Sequence, residues 1–111
     1  MRMTGRFNAE EAFFLASAAR RGDLVTYGEF AGVFGGIPQG QGGKLTEMGE
    51  RLRAHKLPLL PVLVVNANTR LPSSDAVFYA RLRLEEADLR DEQQRCFDYD
   101  WTHAPFWKDN E

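Results

Sequence analysis

Residues Asp23 to Asn66 read DLVTYGEFAGVFGGIPQGQGGKLTEMGERLRAHKLPLLPVLVVN, and the order of local signals in this stretch decides the fold. Leu24 and Val25 form a short extended link. Thr26-Tyr27-Gly28-Glu29 has the spacing of a capping box, with the Thr26 hydroxyl over the first turn and Glu29 reaching back to the Thr26 N–H. Phe30, Ala31, Val33 and Phe34 give the following helix its buried side, and Gly35 and Gly36 end it. A helix of about two turns is marginal by itself and has to be held by packing.

Ile37 to Gly43 is the turn, with Pro38 breaking helix continuity and Gly40, Gly42 and Gly43 loosening the start of the next helix. It is not a mononucleotide loop. A Walker loop needs a Gly five residues before the Gly of Gly-Lys and a Ser or Thr after the Lys, but Pro38 and Leu45 stand there. Backbone N–H groups at a helix start beside Lys44 retain the chemistry to hold a nucleic-acid phosphate. The next helix runs to about Ala54. Leu45, Met48 and Leu52 recur at helical spacing and face the core, with Gly49 beside them where a side chain would obstruct close packing. Lys44, Thr46, Glu47, Glu50, Arg51 and Arg53 form the other face. Its basic residues suit phosphate, and Glu47 and Glu50 oppose it.

Leu57 to Val65 is the most apolar stretch. Pro58 and Pro61 make its beginning irregular, and Val62 to Val65 reads as a buried strand. Asn66-Ala67-Asn68-Thr69 is a polar turn, from which Arg70-Leu71-Pro72 returns as a wing or brief second strand. Helix, glycine turn, helix and β element in this order predict an α+β fold with a winged helix-turn-helix-like core over residues 23–72.

Outward from this core, an N-terminal helix starts at Asn8 as cap, with Glu11 three residues on. Ala12, Leu15, Ala16 and Ala19 with Phe13 and Phe14 form its apolar face, and Gly22 stops it after Arg20 and Arg21. Beyond Pro72 a helical and aromatic extension covers residues 73–111. Ser73 or Ser74 caps a helix through Ala76, Val77, Ala80 and Leu84, and Asp75 suits its first turn. A further helix from about Glu86 to Phe97 turns Leu89, Gln93, Cys96 and Phe97 to one side and the acids Glu85, Glu86, Asp88, Asp91 and Glu92 outward. The tail is dense in aromatics. Phe97, Tyr99, Trp101, Phe106 and Trp107 either pin the C-terminus across the body or form an interface hot spot; Phe97 and Trp101 read as packing residues, and Trp107 stays open between the two. Asp98, Asp100 and His103 lack the second clustered His that a metal site needs, so no metal or cofactor is expected. Cys96 has no neighbour that would activate its thiol, and His55 and His103 assemble no nucleophilic triad, so no catalytic residues are expected.

Composition bounds these readings. The chain of 111 residues is 43% hydrophobic, the size of one domain with enough apolar residues for a core. No run approaches the ~18 apolar residues that span a bilayer. The first residues are charged on both sides of Phe7, unlike a signal peptide. The single cysteine, Cys96, excludes an internal disulfide and fits a reducing cytoplasm. A net charge of −2 does not favour DNA in bulk, but residues 1–60 hold 8 Lys and Arg against 6 acids and residues 61–111 hold 6 against 10.

Thr26-Tyr27-Gly28-Glu29, Ala31, the Gly35-Gly36 turn, Pro38, Met48-Gly49-Glu50-Arg51-Leu52-Arg53, Leu57-Pro58 and Val64-Val65 together resemble the DNA-binding domain of O6-alkylguanine-DNA alkyltransferases and alkyltransferase-like proteins. The resemblance spans residues 23–66. It implies a winged helix-turn-helix entering the minor groove, with Tyr27 near a phosphate. The family's Pro-Cys-His-Arg motif is missing, since its cysteine falls at Pro61 or Val62 and no His and Arg follow. The position of its base-displacing Arg, three before Gly49, is Thr46. Neither alkyl transfer nor base flipping carries over. Leu57, Pro58, Val64, Val65, Asn66, Leu71 and Pro72, with Phe97 and Asp100-Trp101, also resemble small uncharacterised proteins of phages and mobile elements.

Two non-enzymatic functions are therefore expected. In one, an accessory or regulatory protein of a phage or mobile element binds DNA through Tyr27, Gly43, Lys44, Thr46, Arg51 and Arg53. In the other, an inhibitor or regulator of a host or phage protein docks through Asp88, Asp91, Glu92 and Trp107. Neither involves a membrane.

Overall fold

The computed structural model describes residues 9–36, 42–72 and 76–102, apart from the side chains of Gly42, Ala76 and Val77. The expected caps Asn8 and Ser73 or Ser74, the turn around Pro38, and His103 and Trp107 lie outside these residues.

The capping box forms as its spacing requires. The Thr26 hydroxyl accepts the Glu29 N–H at 3.0 Å, and Glu29 Oε1 accepts the Thr26 N–H at 2.9 Å. It starts α2, Tyr27–Phe34, which Gly35 closes at φ 92° with its N–H on the Ala31 carbonyl at 2.7 Å. Before it come α1, Ala9–Arg21, and the strand β1, Val25–Thr26. After it come α3 (Gly42–Ala54), the strand β2 (Val64–Val65), α4 (Ala76–Leu82) and α5 (Leu89–Asp98). Gly42 and Gly43, expected in the turn, belong to the first turn of α3.

Three helices end in one way. Gly22 follows α1 at φ 74°, its N–H bonds to Ala19 O at 3.0 Å, and the Asp23 N–H bonds to Ala18 O at 2.9 Å. This is the Schellman pattern, in which a left-handed residue lets two orphan carbonyls find donors. The end of α3 repeats it with Lys56 at φ 62°, through Lys56 N–H to Arg53 O at 2.9 Å and Leu57 N–H to Leu52 O at 3.0 Å. At the end of α4, Arg83 takes the position at φ 56°, with Arg83 N–H to Ala80 O at 3.2 Å and Leu84 N–H to Tyr79 O at 2.9 Å. The helix expected to run through Leu84 therefore stops at Leu82, and Leu84 folds back into the core as the apolar residue after the turn.

β1 and β2 pair in parallel, Val25 with Val64 and Thr26 with Val65. The expected strand Val62–Val65 is shorter than its apolar run because Leu60–Leu63 forms a 3-10 turn with Pro61 near its start, where the fixed φ of proline suits a helical turn. The return segment Arg70–Leu71 is not a strand. It closes a tight loop through Asn66 N–H to Leu71 O at 2.9 Å and Arg70 N–H to Asn66 O at 2.8 Å. Asn66 Oδ1 accepts from Asn68 N at 2.8 Å and Thr69 N at 3.3 Å, the side-chain bonds that make asparagine a turn residue. The protein is thus a mixed helical α+β fold with one small parallel sheet among the described residues.

Leu15, Phe30, Leu45, Met48, Leu52, Leu60 and Leu89 are fully buried in a core shared by the helices and the Leu60–Leu63 turn. The packing of α3 on α4 is close at Gly49, where a Cβ would stand 2.7 Å from Leu82 Cδ1. Two apolar residues expected inside are outside, Phe13 at 64% and Val33 at 56% exposure. The inner face of α1 is a small-residue stripe of Ala12, Leu15, Ala16, Ala18 and Ala19, and Phe13 falls beside it. In α2, Phe30 and Ala31 are the buried pair, and Val33, well round the helix from Ala31, lies outside their contact with the core. Among the described residues, no helix is long and apolar enough to cross a membrane.

Candidate functional site

The candidate surface is α3, and its two ends differ. Thr46, Gly49 and Arg53 form one row along it, and α4 covers that row. Gly49 meets Leu82, the Arg53 guanidinium donates to the Leu82 carbonyl, and Glu50 forms a two-point pair with Arg81 at 2.8 and 2.5 Å. That bond holds the Arg81 guanidinium above its usual pKa, chiefly through the Glu50 hydrogen bond. Thr46 is consequently 2% exposed. It was expected on the outer face with the DNA contacts, and the structure corrects this: packing of a second helix on this side of α3 takes Thr46 inward, while Arg53 at the end of the row stays exposed.

Lys44 is also drawn into the fold. Its Nζ lies 2.7 Å from Glu11 Oε2 and 5.5 Å from the centroid of the Phe30 ring. The Glu11 side chain is 3% exposed and that of Lys44 37%. One ammonium thereby joins α1, α2 and α3, next to the Phe14, Phe30 and Phe34 rings that pack α2 on α1. Gly43 is exposed in the first turn of α3, and a Cβ there would meet nothing within 4 Å. Tyr27 is half-buried against the core. It lies near Tyr79, whose hydroxyl donates to Pro72 O at 3.1 Å and whose pKa is raised by burial first, then by Tyr27 and Glu86.

The far end of α3 is cationic. Arg51 is half-buried, and Arg53 and Lys56 are exposed. The bond from Arg53 to Leu82 O brings this end against the end of α4, where Arg83 is exposed. From Arg51 to Ser74 the chain holds Arg51, Arg53, Lys56 and Arg70 and no Asp or Glu. Among the described residues, no carboxylate pairs with the side chains of Lys56 or Arg83. Sequence reasoning missed these two cations; the acid-free stretch was a signal for Lys56, and Arg83 lies outside it.

The alternative, acidic face comes apart at one residue. Asp88 and Asp91 are exposed on and before α5. Glu92, expected beside them, is 8% exposed and turned inward. Its Oε2 accepts the Leu59 N–H at 2.8 Å, and Arg95 Nη1 lies 2.9 and 3.0 Å from its two oxygens. The reason is an orphan N–H in the proline-interrupted stretch, for which a carboxylate is a strong acceptor. Gln93 does the same for acceptors, donating to Val62 O at 3.0 Å and Arg70 O at 3.3 Å. Trp107 lies outside the described residues.

Trp101 is buried, its indole N–H donating to Cys96 O at 2.7 Å, with the Tyr99 ring 4.5 Å away. Cys96 is buried, and desolvation, then the Glu92 charge, push its thiol well above the ordinary range. Asp98 and Asp100 accept local bonds, from Gln94 at 2.9 Å and from the Thr102 N–H at 3.0 Å. Among the described residues, no three potential ligands cluster as a metal site would require. No protein-family model matches the chain, and comparison with curated proteins and with solved structures likewise gave no match.

Proposed function

We propose that the chain is a non-enzymatic DNA-binding protein with winged-helix-like character, acting in the cytoplasm as an accessory or regulatory protein of a phage or mobile element. The observation that carries the reading is the cationic end of α3, where Arg51 and Arg53 open an acid-free stretch that reaches Ser74. Cations concentrated on one exposed end attract a polyphosphate even when the net charge is slightly negative. The resemblance to the DNA-reading domain of alkyltransferases supports the same partner. Lys44 and Thr46 leave the contact set, because one is bonded to Glu11 and the other is buried.

Fluorescence anisotropy on a labelled duplex, across a salt series, tests this. Arg51→Ala and Arg53→Ala should each lower the slope of log affinity against log salt by about one. Circular dichroism on the same variants checks the fold, since Arg53 also serves the end of α4. Wild-type protein that binds no duplex even at ~20 mM salt, where counterion release is strongest, refutes the proposal.

The exposure of Phe13 and Val33 favours a second reading, docking to a host or phage protein, because large apolar side chains in water are often interface residues. In that case charge reversal at Asp88 and Asp91 should slow association with the captured partner, and the Arg51 and Arg53 variants should not.

A further inference from the structure

Three described residues other than glycine have a positive φ, and all three are basic: Lys56, Arg70 and Arg83. Two of them end helices. Lys56 and Arg83 hold the left-handed position of a Schellman turn, the position that Gly22 holds after α1. Glycine is the usual occupant because it lacks the Cβ that makes this conformation unfavourable. A long cation at both sites keeps backbone strain that glycine would relieve. Residues in strained conformations tend to be those whose side chains are needed for something else.

Both side chains are exposed, and among the described residues neither pairs with a carboxylate. The bond from Arg53 to Leu82 O holds the two helix ends together, one residue before Arg83 and three before Lys56. α3 contains no aromatic residue to stack on a base, and long exposed cations at turns suit the phosphate backbone.

We propose that Lys56 and Arg83 are paired phosphate contacts to the backbone of duplex DNA, made without reading its sequence. This rests on the DNA-binding reading above and adds two contacts that lie beyond Arg51 and Arg53. The competing explanation is internal: a cation at a helix C-terminus also stabilises the helix dipole. The two explanations predict opposite responses to glycine.

The test is the double variant Lys56→Gly with Arg83→Gly, beside Lys56→Gln with Arg83→Gln, which removes both charges and keeps a Cβ. Each is measured by thermal melting and by anisotropy on two unrelated 20-base-pair duplexes over a salt series. Both variants should lower the salt slope by about two and weaken binding by on the order of ten- to a hundredfold at 0.1 M salt, equally for the two duplexes. The glycine variant should melt no lower than wild type. An unchanged salt slope in both variants overturns the proposal while leaving the DNA-binding reading in place. A lower melting point for the glycine variant with unchanged affinity assigns the cations to the helix ends. Absence of binding by the wild type removes the underlying reading and this one with it.

Discussion

The ion pair between Lys44 and Glu11 makes a sharp claim about how the residues of the glycine turn are used. Lys44→Met keeps the side-chain stem against Phe30 and removes the ammonium 2.7 Å from a carboxylate that is 3% exposed. A hydrogen bond to a charged group contributes about 1.5–3 kcal/mol, and breaking a fully buried pair costs about 3–5 kcal/mol. Lys44 is 37% exposed, so solvent screening places the loss nearer the lower figure, about 2 kcal/mol. Glu11→Gln should cost less, about 1 kcal/mol, because the ammonium can swing into water while the amide stays near its place. The double variant should lose less than the two single losses together, with a coupling of about 1 kcal/mol. Urea unfolding of the four proteins gives each stability and the coupling. A loss of about 2 kcal/mol in a domain of this size should lower Tm by roughly 8 °C. Coupling within about 0.3 kcal/mol of zero would show that the contact is incidental, and Lys44 would return to the candidate DNA contacts.

Three further outcomes follow from burial. Gly49→Val should destabilise by about 2–3 kcal/mol, since its Cβ already falls 2.7 Å from Leu82 Cδ1, while Gly49→Ala should lose less because alanine regains about 1 kcal/mol of helix propensity; urea midpoints decide, and a Val variant as stable as wild type would mean that α4 yields freely. Glu92→Ala should cost about 1–3 kcal/mol by leaving the buried Leu59 N–H without its acceptor, whereas Asp91→Ala should stay within about 0.5 kcal/mol, so equal effects in thermal melts would contradict the inward placement of Glu92. Burial raises the Cys96 pKa in the folded state, so its stability contribution is complete below the unfolded thiol's pKa and is lost as pH rises above it, at about 1.4 kcal/mol per pH unit beyond about pH 8.5. Denaturation of Cys96→Ala against wild type from pH 8 to 10 should show that slope in the wild type alone, and parallel curves would be the contrary result.

Local signals were legible where they are self-contained. The capping box at Thr26, the stop at Gly22 and the Leu45–Met48–Leu52 face appear as read, because each is written in residues within two turns of one another, and the small residue at Gly49 marks the close helix packing expected there, made by Leu82. The misplacements share a different cause. Thr46 is inward because a helix that begins more than twenty residues later, α4, covers its row. Glu92 is inward because a backbone N–H at Leu59, 33 residues away, needs an acceptor. Val62 and Leu63 look like strand by composition, but Pro61 favours a helical turn and leaves only Val64 and Val65 to pair. The left-handed positions of Lys56 and Arg83 were hidden because neither residue type signals a helix end as glycine does.

Two sets of basic side chains differ in what they meet, and the difference bears on function. Lys44, Arg53, Arg81 and Arg95 each bond to a partner in the fold: Glu11, the Leu82 carbonyl, Glu50 and Glu92. Removing any of them disturbs packing as well as charge. Loss of DNA binding in a Lys44 variant would therefore say little about phosphate contact. Lys56, Arg70 and Arg83 sit at turns, where the backbone fixes their position and their side chains extend from it. For these residues charge can be removed with the fold's own contacts left in place. Salt separates the groups in the same way, since a largely buried pair such as Lys44 with Glu11 is screened little and exposed cations are screened strongly. The salt dependence of binding thus reports on the second group. A binding slope unchanged by loss of every turn cation would leave the phosphate contacts to Arg51 and Arg53.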